Sequence, residues 1–150
     1  MSIHHDGSVT MAFALGGLRN GMDADGNYTY FSNWEFDSAT VEAAVADFMG
    51  LLRATSERAG SIDYEVRIGI ERNGSERMIM QTLDNMGGTY TAGFVPMLRY
   101  LPVEATVETG ADDDRYMHQV RNIIQDCVNQ GGVNNLRVTA LCACEECVAD

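Results

Sequence analysis

Apolar and polar residues alternate along the first part of the chain. Val9, Met11, Phe13 and Leu15 hold one phase, and Ser8, Thr10, Ala12 and Ala14 hold the other. A period of two marks a half-buried strand. Gly16-Gly17 ends it, and Asp23-Ala24-Asp25-Gly26-Asn27 is turn material. Tyr28, Tyr30, Trp34 and Phe36 then share a phase, so residues 8–36 predict a hairpin with a long exposed tip. The period next becomes helical. Val41, Ala44, Val45, Phe48, Leu52 and Thr55 form one stripe, behind a cap at Asp37 or Ser38 and with Glu42 in the first turn. Gly60 stops this helix, the longest the pattern predicts.

Ile62, Tyr64, Val66, Ile68 and Ile70 alternate with Asp63, Glu65, Arg67 and Glu71, the cleanest strand in the chain. Asn73-Gly74 predicts a hairpin to a partner strand over residues 77–83, because both residues accept positive φ. Further strands are expected at residues 89–95 and 103–107. Asp112, Asp113 and Asp114 open a second helix whose inward stripe is Tyr116, Val120, Ile123 and Cys127, and Asn129-Gln130-Gly131-Gly132 closes it. Leu136, Val138 and Ala140 then predict a last strand. The helices are too few, and too widely separated by strands, for a doubly wound sheet. The expected fold is α+β: a mostly antiparallel sheet of about five to seven strands with two helices packed on one face. A length of 150 residues fits a single domain over 1–150, with residues 141–150 as a cysteine-rich tail.

Charge narrows the partners. Ten arginines and no lysine face 22 acids, for a net charge of −12. Such a surface repels phosphate backbones, so direct nucleic-acid binding by this domain is not expected. Residues 1–10 lack a basic region followed by an apolar run, and no apolar stretch reaches the ~18 residues of a membrane span. The expectation is a cytoplasmic protein without a membrane partner, its cysteines kept reduced.

Candidate chemistry is concentrated at the C-terminus. Cys142, Cys144 and Cys147 read C-x-C-x-x-C. Two thiolates two residues apart on an extended chain point the same way, and a third after a short turn supplies another corner of a zinc tetrahedron. The fourth ligand would be Cys127, His118, His4, His5 or a residue of another subunit. Against this, Cys142 and Cys144 continue the strand phase of Leu136, Val138 and Ala140, and Cys127 lies on the helix's apolar stripe, so all three also read as packed thiols. Asp23, Asp25 and Asn27 open like a calcium loop, but its twelfth position is Trp34 rather than glutamate. The aromatic run Tyr28, Tyr30, Trp34, Phe36 reads as a ligand-stacking face or as core. No phosphate loop with its lysine and no G-x-S-x-G elbow is present, and no nucleophile has a base at a spacing that predicts contact. The reading is a non-catalytic domain.

Several segments read together carry a resemblance: Ile3-His4-His5-Asp6-Gly7 with Val9-Thr10, Ala46-Asp47-Phe48-Met49, Val66-Arg67-Ile68-Gly69-Ile70-Glu71, Asp84-Asn85, Val95-Pro96 with Arg99, and above all Asp126-Cys127-Val128-Asn129-Gln130-Gly131-Gly132-Val133. They resemble the C-terminal region of actinobacterial proteins with an N-terminal Schlafen-type, AlbA-like domain, often described as ATP-binding proteins or transcriptional regulators. The all-arginine composition agrees with a GC-rich actinobacterial or phage genome. The resemblance implies an accessory part of a regulatory protein, because nucleic-acid and nucleotide functions are attributed to the N-terminal domain, which lies outside this sequence. It carries over no catalytic residue. The expected function is self-association, as a dimer or larger homo-oligomer, or docking of a protein partner. A zinc or thiol sensor built on the C-terminal cysteines is one alternative, and a small-molecule-binding or enzymatic domain is the other.

Overall fold

The computed structural model describes residues 1–4, 6–16, 19–22, 25–26, 28–30, 34–60, 62–72, 74–83, 89–90 and 95–138. The fold is α+β. Its strands are β1 (Ser2–Ile3), β2 (Val9–Thr10), β3 (Arg19–Met22), β4 (Tyr28–Tyr30), β5 (Glu35–Asp37), β6 (Tyr64–Ile68), β7 (Ile79–Leu83), β8 (Thr89–Tyr90) and β9 (Val103–Val107). Helix α1 (Ser38–Ala59) follows β5, and α2 (Asp113–Asn129) follows β9.

Both helices begin and end where local chemistry directs. Asp37 caps α1, its carboxylate accepting from the Ala39 N–H at 3.1 Å. Gly60 closes it in the left-handed conformation, φ 94°, which a residue without Cβ adopts without strain. Asp112 caps α2 by accepting from the Arg115 N–H, and Asp113 and Asp114 lie in its first turn against the positive end of the helix.

The expected single sheet divides, among the described residues, into small ones: β1 with β2, β3 with β4, β5 with β7 and β8, and β6 with β9. The hairpin expected across Asn73-Gly74 does not form. β6 pairs antiparallel with β9, Tyr64 opposite Val107 and Ile68 opposite Val103, while β7 pairs parallel with β5. Tertiary packing overrides the local turn signal here. β6 and β9 place Val66 and Val107 in one core, whereas β7 buries Met80 against the end of α2. The first hairpin survives only as β3 with β4, and the strand expected through Leu15 stops at Thr10. Leu136 to Val138 is a turn rather than a strand, because its backbone is bonded to a side chain. Ala140 lies outside the described residues.

The core lies between the helices and the strands. Val45, Met49 and Leu52 from α1 meet Tyr116, Val120, Ile124 and Val128 from α2, with Phe36, Val66, Met80 and Val107 from the strands. Burying such side chains stabilises by about 1.5–3 kcal/mol each. Several polar groups inside are bonded. Tyr116 donates to the Met49 carbonyl at 2.6 Å, Tyr100 donates to the Cys127 carbonyl at 2.9 Å, and Ser56 and Thr109 both donate to the Ile62 carbonyl.

Candidate functional site

An open groove of about 1080 Å³ lies beside α1. Its floor is the helical stripe Val41, Ala44, Val45 and Phe48. One wall is residues 10–15 and the other is residues 67–72. Trp34 lies in the groove and is 40% exposed, and Phe13 is 49% exposed. An apolar floor beneath half-exposed aromatic side chains is the usual character of a binding surface.

Both walls carry the alternation of strands without the pairing of strands. Residues 11–15 continue β2, and residues 69–72 continue β6, yet neither run makes a backbone–backbone hydrogen bond among the described residues. Exposed backbone of this kind is a template for pairing. The rim is charged on one wall. Arg67 faces Glu104 at 3.7 Å, and Arg72 donates to the Leu98 carbonyl at 3.1 Å. Glu71 and Glu76 line the groove and have no ion-pair partner among the described residues. Tyr100 reaches the groove, but its hydroxyl is committed to the Cys127 carbonyl, and burial raises its pKa, helped by Cys127 and Asp126.

The sequence-predicted site residues fall elsewhere. Cys127 is a free thiol, fully buried on the inner stripe of α2. Burial pushes it up to about 11, opposed by the Tyr100 hydroxyl and reinforced by Asp126, so it is a neutral thiol at physiological pH. Cys142, Cys144 and Cys147 lie outside the described residues, as does His5. Among the described residues no three His, Cys, Asp or Glu side chains converge as a metal site. His118 is paired with Asn122 at 3.1 Å, not with Asp114, and His4 lies beside Ser2 and Thr10 on the surface. The aromatic run divides: Phe36 is core, Trp34 belongs to the groove, and the side chains of Tyr28 and Tyr30 lie outside the described set. Most of the calcium-like loop also lies outside it.

Glu42 is the residue that sequence reasoning misplaced. The first turn of α1 holds no acid; Glu42 sits beyond it and is fully buried. Its Oε2 accepts from two consecutive backbone N–H groups, Arg137 at 2.8 Å and Val138 at 2.9 Å. Oε1 is buried without a hydrogen-bond partner among the described residues. Glu42 therefore anchors the segment that follows α2 onto α1. Sequence offered one signal: an acid one position from Val41 and three before Val45, within the apolar stripe of α1.

No protein-family model, curated protein or solved structure matches this chain. Among the described residues no helix is long and apolar enough to cross a membrane.

Proposed function

We propose that this domain is a non-catalytic accessory module that acts by self-association or by docking a protein partner, and that the groove beside α1 is where it does so. The observation that carries this reading is the pair of extended runs, residues 11–15 and 69–72, that continue β2 and β6 without ladder partners among the described residues on either side of an apolar floor. Groove walls with unused backbone donors and acceptors favour a polypeptide as occupant. The resemblance to the C-terminal region of AlbA-like regulatory proteins supports the same role, since an accessory part of such a protein serves by contact. The C-x-C-x-x-C spacing favours a second reading, a zinc or thiol sensor.

Native mass spectrometry of protein purified without chelator, then with chelator, separates the two. The docking reading expects complexes, with a second copy or with a partner, that survive chelation and are lost in Ala44→Glu, which places a charge on the groove floor. A mass excess of one zinc per chain, removed by chelator together with the complex, would put the cysteines first. Complexes indifferent to both treatments would remove the groove from consideration.

A further inference from the structure

The groove's walls say what kind of polypeptide fits it. Side chains of an extended segment point alternately to opposite faces, so a cavity against one face touches every second residue. This groove touches six residues in succession on each wall. It is therefore not confined to one face of either segment and reaches their edges, where N–H and C=O groups point. At Gly69, in the middle of one wall, a Cβ would meet no atom within 4 Å, so the space off that face of the backbone is open. A glycine within a strand-like run commonly marks close approach of another backbone.

We propose that the groove accepts one extended, cationic segment of another protein, inserted as a strand between residues 10–15 and 67–72; this rests on the docking reading above. Its apolar residues, at every second position, would rest on Ala44, Val45 and Phe48. Charge decides the alternate positions. Arg67 is opposite Glu104, and Arg72 keeps its charge while donating to the Leu98 carbonyl, so that with Glu71 and Glu76 the unpaired lining charges among the described residues are two acids and one base. Lysine or arginine at the intervening positions complements the two acids. A second copy of this chain is the poorer occupant, because it brings its own net charge of −12 to a surface of the same sign.

The test pans a randomised library of linear peptides of about ten residues, the upper end of ordinary strand length, on the full chain. Selected peptides are measured by calorimetry against the unaltered protein, Ala44→Glu, and the double variant Glu71→Gln/Glu76→Gln. All three substitutions fall on half-buried or exposed side chains, and circular dichroism checks that the fold is kept. Expected binders alternate apolar residues with Lys or Arg, lose binding to Ala44→Glu, and weaken about threefold or more with the double variant at low salt. Methylating single backbone nitrogens in the peptide distinguishes strand insertion from side-chain contact. Successive amides point to opposite walls, so each central methylation should weaken binding about three- to tenfold, the worth of one hydrogen bond. Sensitivity at alternate positions only would overturn insertion between two walls, and sensitivity at none would overturn strand addition. Neutral or acidic binders would overturn the charge assignment. A dimer of the free chain abolished by Ala44→Glu would overturn the choice of occupant while leaving the docking reading standing. Absence of any binder or dimer that depends on Ala44 would remove both.

Discussion

Helix α1 carries two adjoining stripes that meet different fates. Met49, Arg53, Ser56 and Glu42 face neighbours that close over them. Tyr116 donates to the Met49 carbonyl, Arg53 lies 4.6 Å from the Tyr116 ring centroid and pairs with Asp113 at 2.8 Å, and Glu42 holds the Arg137 and Val138 amides. On the other stripe, Val41, Ala44, Val45 and Phe48 form the floor of an open groove. The first stripe mixes polar with apolar side chains, and the second is apolar. What separates them is whether the neighbouring segments find backbone partners. α2 satisfies its own backbone and arrives as a finished rod, whereas residues 11–15 and 69–72 are strand-like and have no ladder partner among the described residues.

The largest expected effect tests whether stability resides on the closed side. Ile124 is fully buried on α2, and Ile124→Ala should cost about 2–5 kcal/mol, read as a shift in the urea midpoint at unchanged slope. Phe13 is half-exposed on a groove wall, so Phe13→Ser should change stability by under about 0.5 kcal/mol. Equal costs would mean that the groove is part of the core, and the comparison would collapse.

Alkaline pH sharpens it next. Cys127 and Tyr116 lie on the closed side, and Tyr100, which also lines the groove, turns its hydroxyl to the Cys127 carbonyl; burial is the first cause of a raised pKa in each. A group that holds its proton more tightly when folded contributes stability that is fully present below its unfolded pKa and is lost as pH rises through the folded one. For Cys127 the interval runs from its ordinary 9.0 to about 11, a loss of roughly 2–3 kcal/mol. The melting temperature should therefore hold to about pH 9 and fall steadily above it, and Cys127→Ala should fall less steeply. A flat profile to pH 11 would show that these groups are not sealed.

Two glycines make a matched pair. At Gly131, after α2, a Cβ would stand 2.5 Å from Met80 Cβ and 3.0 Å from its sulfur, so Gly131→Ala should destabilise by about 1–3 kcal/mol. Gly69 has open space and lacks a positive φ. Gly69→Ala should be neutral or stabilise by up to about 1 kcal/mol, through the reduced freedom of the unfolded chain. Thermal unfolding of the two variants side by side reads the difference.

The same division governs what was legible in the sequence. Helix signals are local, and both helices start at Asp37 and Asp112 and stop near Gly60 and Gln130 as the pattern indicates. Strand alternation was equally clear at residues 64–68 and 103–107, but pairing is not a local property. Nothing near Asn73-Gly74 says that β6 will choose β9 over β7, since that choice depends on Met80 packing against Gly131, some fifty residues further on. Alternation at 11–15 and 69–72 indicates a strand in the sequence, but a period of two reports which faces are apolar, not whether a ladder partner exists. The groove was invisible for that reason. Glu42 escapes the pattern because its partners are backbone amides, and backbone leaves no trace in a side-chain pattern.

The smallest expected effect concerns two tyrosine hydroxyls. Tyr116 donates to the Met49 carbonyl at 2.6 Å from a buried position, and Tyr64 donates to the Gly7 carbonyl at 3.2 Å from a half-buried one. Removing a hydroxyl leaves its carbonyl partner to find water, which the Met49 carbonyl beneath α2 has less chance of doing. Tyr116→Phe should cost about 1–1.5 kcal/mol and Tyr64→Phe a few tenths, about what a rehydrated partner allows. Amide hydrogen exchange adds locality: Tyr116→Phe should speed exchange in both helices together, and Tyr64→Phe only around residues 2–10. If the order of the two were reversed, the N-terminal wall would be fastened as firmly as α2, and residues 10–15 would be a fixed part of the fold rather than one side of an open slot.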